Sequence, residues 1–488
     1  MNSPRYPMLY QLNTRVRLTE LSEKLGRAAT LDDFTDAELD EIEARGFDWV
    51  WLLSVWQTGT VAQKISRSNP EWKHDFELTL PDLKDDDIAG SGFAICDYSV
   101  HKGLGGEESL AKLRERLRKR GLKLMLDFVP NHMAPDHHWV KTNPEYFVAG
   151  TEQDLANAPQ NYTRIGDRVF AYGRDPYFSG WPDTLQLNYA NPETQKAMTN
   201  ELLRIAACCD GVRCDMAMLI LPEIFERTWG QRSQSFWPEA TDAVRQKHQD
   251  FKFMAEVYWD MEWALQQLGF DYTYDKRLYD RLREGSARAV REHLLAPLDY
   301  QDKMARFLEN HDEPRAANTF SNEMHKAAAV ITFFSPGLRF FHQGQMDGRK
   351  KRISPHLVRA PREPVIQELK KFYEQLLPAL KHKSVRQGQW RLLESRPAWE
   401  ENWTAACFVC FSWQGPADER LLVLVNYAQN QSQCYVKPEF ENLNGKQWQL
   451  RDLLSDEVYE RDGDELADRG LFLDMKPWQA QLLLLSSS

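Results

Sequence analysis

No stretch of this 488-residue chain approaches the roughly 18 consecutive apolar residues that a membrane-crossing helix requires. A surplus of positive charge is missing too. The 61 Lys and Arg face 72 Asp and Glu, a net charge of −11, which argues against nucleic acid and anionic membranes as partners and suits a neutral substrate. Cysteine is scarce and odd in number, at seven. Cys208 and Cys209 are adjacent, Cys96 and Cys214 fall in apolar strand-like runs, and Cys407 and Cys410 lie in an alternating run that turns them to opposite faces. Neither a disulfide framework nor a zinc cluster fits that spacing; the expectation is reduced, buried thiols in a cytoplasmic protein. The opening Met1-Asn2-Ser3-Pro4-Arg5-Tyr6-Pro7 has no apolar signal region, in keeping with this expectation. Repeats and low-complexity segments are absent. No glycine-rich phosphate turn follows the first strand candidate, which sets aside a dinucleotide-binding fold.

What the chain does have is length, aromatic residues and a steady alternation of strand and helix signals. At roughly 100–200 residues per domain it should hold more than one domain, although a (β/α) barrel takes about 250 residues alone. The 16 Trp, 17 Tyr and 24 Phe supply a large core and, secondarily, flat faces suited to sugars. Strand candidates lie at Met8–Asn13, 47–55, 93–100, 122–129, 211–215, 253–258, 270–274, 304–309 and Leu338–His342. Between them, Thr35-Asp36-Ala37-Glu38 opens a helix in the manner of a capping box, and Leu110, Leu113 and Leu117 form the apolar stripe of another. This alternation predicts an α/β fold, an eight-stranded barrel rather than a doubly wound sheet. A stretch from about 133 to 190, rich in Pro, Gly, Asn and Asp, is far longer than an ordinary loop and reads as an inserted subdomain. From Lys383 onward the signal changes to short alternating strands at 390–393, 405–413, 421–425, 433–436, 447–450 and 479–485, which predicts an all-β sandwich. The expected division is 1–132 and 191–383 for the two parts of the barrel, 133–190 for the insertion and 384–488 for the sandwich.

Four strand ends concentrate the chemistry. They are Asp127-Phe128-Val129-Pro130-Asn131-His132, Gly211-Val212-Arg213-Cys214-Asp215, Ala255-Glu256-Val257 and Glu309-Asn310-His311-Asp312. A single strand ending in Asp, Asn or His is often just a cap for the next helix. Four in succession, with helical stretches between, fit the catalytic mouth of a barrel better. Carboxylates, Arg and His would then converge from four strands on one pocket, a set suited to cleaving a glycosidic bond with one carboxylate as nucleophile and another as acid/base.

On these motifs the chain resembles the α-amylase family of glycoside hydrolases, family thirteen, over essentially its whole length. The resemblance implies a (β/α)8 TIM barrel, an inserted subdomain after the third strand and a C-terminal β-sandwich. It makes Asp215 the nucleophile, Glu256 the general acid/base and Asp312 the stabiliser of the distorted ring. His132, Arg213 and His311 would bind or position the sugar, and Phe93, in Gly92-Phe93-Ala94-Ile95-Cys96-Asp97-Tyr98, stands where the family stacks a Tyr on it. Asn131 becomes a candidate calcium ligand, and Asp183, in Trp181-Pro182-Asp183-Thr184, a second one; no cofactor is needed for the chemistry itself. Met218 and Leu219 replace a Lys-His pair that often builds the acceptor subsites, which implies a less polar acceptor side and a preference for short oligosaccharides over starch. Gly90 stands where exo-acting relatives often carry a clamping Asp.

The function expected is therefore a retaining hydrolase of α-glucans or short α-glucosides. The alternative is a transglycosidase or phosphorolytic glucosyl or maltosyl transferase with the same carboxylates and another acceptor. A catalytically dead binding protein fits poorly, because all three carboxylates are present. Linkage, endo or exo action and oligomeric state are not legible in the sequence.

Overall fold

In a computed structural model, which describes residues 4–487, eight parallel strands close into a barrel. They are β1 (Met8–Asn13), β2 (Trp49–Leu53), β3 (Lys123–Phe128), β4 (Gly211–Cys214), β5 (Lys252–Ala255), β6 (Tyr272–Tyr274), β7 (Met304–Arg306) and β8 (Leu338–His342). Each pairs with the next, and β1 closes the ring by lying between β2 and β8, with Leu9 opposite both Trp49 and Phe340. The strands read as apolar runs because a barrel strand is covered on both faces. Trp49-Val50-Trp51-Leu52-Leu53 is buried at every position.

The surrounding helices follow local rules. Thr35 caps the helix Asp36–Ala44 by accepting from the Glu38 N–H. The helix Gly106–Lys119 buries Leu110, Leu113 and Leu117. Pro at the first turn and Asn191 as cap start the long helix Pro192–Cys208.

One strand candidate lies outside the barrel. Residues 93–100 reduce to Ile95–Val100, which pairs antiparallel with the short strand Trp56–Thr58 above β2. Its sequence, Ile-Cys-Asp-Tyr-Ser-Val, buries Ile95, Tyr98 and Val100 and leaves the other three partly exposed, as a strand with one wet face does, with a register shift near Asp97.

Between β3 and β4 the chain makes its excursion. His132–Met133 leaves and Leu185–Gln186 returns, paired antiparallel, and between them lies a three-stranded sheet of Ala149–Gly150, Tyr162–Ile165 and Arg168–Ala171. The stretch is thus less irregular than its composition suggests; its strands, of four residues at most, are too short to show a period.

After the barrel come two antiparallel sheets. The larger has six strands, with Phe408–Gln414, Arg420–Asn426 and Ala480–Ser487 at its centre; the smaller joins Ser395–Arg396, Ser432–Val436 and Leu471–Met475. Trp413 ties the larger sheet to the barrel, donating its indole N–H to the Phe334 carbonyl at 2.8 Å and packing edge-on to Tyr6. All seven cysteines are free.

Candidate active site

At the carboxyl ends of β4, β5 and β7 the chain gathers one guanidinium and three carboxylates. Arg213, fully buried, donates through Nη1 to Asp215 Oδ1 and through Nη2 to Glu256 Oε2, both at 2.6 Å. Its Nη2 is also 3.9 Å from Asp312 Oδ2. The barrel interior holds the guanidinium by stacking, with the Phe93 and Trp51 rings 5.2 and 5.4 Å away. Two glycines allow the close approaches. A Cβ on Gly211 would meet the Lys252 carbonyl at 2.8 Å, and one on Gly92 would fall 1.9 Å from Ser54 Oγ, so the loop carrying Phe93 presses against the end of β2.

Glu256 is held at both oxygens. Oε2 also accepts from the Met216 N–H at 2.8 Å, and Oε1 accepts from the Tyr258 hydroxyl at 2.9 Å. Met216 adopts a left-handed conformation, φ 42°, costly for a residue with a side chain and kept where it serves that bond. His311 packs tilted on Phe93 and edge-on to Trp51. Gln11 Nε2 lies 2.9 Å from His311 Nδ1; an amide nitrogen only donates, so the His311 proton sits on Nε2, which is 3.0 Å from Asp312 Oδ2.

Electrostatics separate the three acids. Burial raises Glu256 to about 7, aided by Asp215 and Asp312 and opposed by Arg213. Burial also raises Asp215 above the ordinary carboxylate value, with Arg213 pulling the other way. Arg213 thus holds Asp215 down, but desolvation outweighs the guanidinium. Asp312, with its side chain 40% exposed, has burial outweighed by His311, Arg213 and Arg352 and stays at about 2.

The other predicted residues divide. His132 is buried, kept neutral by burial with its value down at about 3, and bonded to the Phe93 backbone. Phe93 lies in the cluster, half-buried beside Arg213 and His311. Asp127 is consumed inside, accepting from Trp51 Nε1 and the Ser54 N–H, and Glu309 is consumed by Arg315 and the Ala316 N–H. Asn131 and Asp183 do not build the expected calcium site. Asn131 Oδ1 accepts from Gln186, Asp183 Oδ2 is buried without a partner, and among the described residues no group of three or more His, Cys, Asp or Glu is placed to hold a metal.

Met218 and Leu219 do not form an acceptor wall. Both sit in the one-turn helix Ala217–Ile220, 0% and 3% exposed, packed into the core. An apolar pair beside the nucleophile strand is drawn inward. Gln11 and Tyr258 were not singled out from the sequence. Gln11 had a signal, as a polar residue inside the apolar Met8-Leu9-Tyr10-Gln11-Leu12. Tyr258 had only its place two residues after Glu256.

Comparison with known proteins places this geometry. The chain is 24% identical over 357 residues to the alpha-amylase MalA of Haloarcula japonica, a match covering 71% of this chain and 44% of that protein. It is 31% identical over 158 residues to an alpha-1,4-glucan:maltose-1-phosphate maltosyltransferase of Cereibacter sphaeroides, covering 31% of this chain and 22% of the other. The chain thus spans less than half the length of these curated relatives. The maltogenic alpha-amylase AmyB of Thermotoga neapolitana has the same fold, with a TM-score of 0.69 at 18% identity over 98% of both chains. A family model described as the alpha amylase catalytic domain matches residues 37–375, more than half of the chain, and the chain belongs to that family.

Proposed function

We propose that this protein is a retaining glycosidase acting on α-glucosidic bonds of α-glucans or short α-glucosides. The observation that carries the reading is the shared guanidinium. Asp215 and Glu256 both bond Arg213 at 2.6 Å, so one guanidinium gathers both carboxylates, which supports the close pair, about 5–5.5 Å apart, that retention requires.

In the first step Glu256, protonated below about 7, gives its proton to the glycosidic oxygen as that bond to the anomeric carbon breaks. Asp215 forms a bond to the same carbon from the opposite face, giving a covalent β-glycosyl ester. Glu256, now ionised, takes a proton from water, whose oxygen attacks the anomeric carbon and expels Asp215. The product keeps the α configuration. Asp312, ionised throughout, faces the positive charge that develops on the ring, and neutral His132 offers a hydrogen bond to a sugar hydroxyl. The free cysteines support a cytoplasmic location as part of the same proposal.

One observation favours the transferase alternative. The loop after β8 runs Arg349-Lys350-Lys351-Arg352, and Arg352 reaches the Asp312 carbonyl at 3.4 Å while making no ion pair among the described residues. A cation beside the pocket suits a phosphorylated donor or a phosphate acceptor. The test is to follow maltooligosaccharides by proton NMR with and without inorganic phosphate. Release of α-anomeric sugar at an equal rate in both supports the hydrolase; sugar phosphate supports the alternative, and β-anomeric product overturns both.

A further inference from the structure

Where the insertion rejoins the barrel, three oxygens converge on one nitrogen. Gln186 Nε2 lies 2.9 Å from the Asn131 backbone oxygen, 2.9 Å from Asn131 Oδ1 and 3.2 Å from the Leu187 oxygen. Both Gln186 and Asn131 are 0% exposed. The far end of the same amide, Oε1, is buried with no partner. That asymmetry fixes the amide's orientation, since turning it over would set Oε1 against three oxygens and lose every bond. An amide nitrogen has two hydrogens, so three acceptors exceed what it satisfies one to one. Carbonyl oxygens converging on one electropositive centre are the surroundings of a hard cation.

Calcium itself does not fit here. It takes six to eight oxygens at about 2.3–2.6 Å, usually with carboxylates among them. This cage offers three neutral oxygens, and its centre is filled by nitrogen.

We infer that Gln186 replaces a structural cation: its amide nitrogen cross-links the loop after β3 to the returning strand of the insertion, and the protein holds no calcium there and needs none. The cross-link acts next to the site. Asn131 Nδ2 is 3.4 Å from His132 Nδ1, His132 pairs with Gln186 across the two short strands, and the Leu187 N–H returns a bond to the Asn131 oxygen at 3.0 Å. The geometry of His132 is thus tied to these hydrogen bonds, together with its edge-on packing against Trp181.

Thermal melting and metal analysis test the inference without reference to activity. Wild-type protein should melt within about 1 °C of the same temperature in excess EDTA and in millimolar calcium, and should carry no stoichiometric calcium. Gln186→Asp shortens the side chain by one methylene, vacates the nitrogen's position and adds a carboxylate to the three oxygens. It should melt roughly 3–8 °C lower in EDTA and regain at least half of that loss in calcium. Gln186→Leu should show a similar loss that calcium does not restore. Wild-type protein that loses stability in EDTA and recovers it with calcium would overturn the inference, and so would calcium responses that are alike in the Asp and Leu variants. If neither variant folds, the wild-type arm decides alone.

Discussion

At the scale of single residues, Arg213 organises the site, because two carboxylates depend on one cation. Arg213→Ala should abolish turnover and cost about 3–5 kcal/mol of stability, the loss expected when buried charges are left without their partner. Asp215→Asn should abolish turnover just as fully yet leave the melting temperature unchanged or higher, since it removes one of three crowded acids. Equal destabilisation by the two substitutions in calorimetry would contradict this division of roles. Tyr258 makes a subtler case. Its hydroxyl donates to Glu256 Oε1 and so favours the ionised form. Catalysis needs the protonated form, so kcat/KM should fall as pH rises through about 7, and Tyr258→Phe should move that basic limb to higher pH with only a few-fold loss at the optimum. A limb that stays in place would show that the bond does not govern Glu256. The main acids were legible in the sequence because each ends a strand whose apolar run announces it. Tyr258 was not, because an aromatic residue after a strand has many uses and only the fold shows which oxygen its hydroxyl meets.

At the scale of elements, two loops are the candidates for the acceptor side in place of the helix bearing Met218. Asp175 fixes the insertion loop by accepting from the N–H groups of Tyr177 and Phe178, and Tyr177 meets Trp259, three residues after Glu256, edge-on at 5.0 Å. Trp259 and Asp260 both take left-handed conformations, with φ 64° and 62°, and Phe178 is 72% exposed. An aromatic contact joining insertion to barrel would narrow the cleft, and the expected preference for short oligosaccharides would then rest on this contact. Trp259→Ala should lower kcat/KM on maltotriose by about three- to tenfold while affecting soluble starch less. A larger loss on starch would mean that Trp259 serves long chains. The strands of the barrel were readable because burial on both faces leaves continuous Val, Leu, Trp and Met. Ile95–Val100 misled as a barrel strand, since its sequence does not say which sheet it joins. Val458–Asp462 and Leu471–Met475 were missed: the first carries charge at three of its five positions, and the second, Leu-Phe-Leu-Asp-Met, hides its alternation because the outward position 472 is an exposed Phe.

At the scale of the whole molecule, barrel and sandwich share an interior. Trp413, Tyr6 and the end of the helix Asn322–Phe334 meet there, and the Tyr427 hydroxyl donates across to the Leu282 carbonyl at 2.7 Å. Trp413→Ala should therefore cost about 3–5 kcal/mol and lower the melting of the whole chain in one transition. Two separate calorimetric transitions would show the two parts to be independent. The pocket's charge balance has a further consequence. One guanidinium against three acids leaves the free site anionic, and more so once Glu256 ionises, so a protonated amine shaped like a flattened sugar ring should inhibit more strongly than its neutral counterpart. Its grip should tighten as pH climbs through about 7 and slacken only where the amine sheds its own proton.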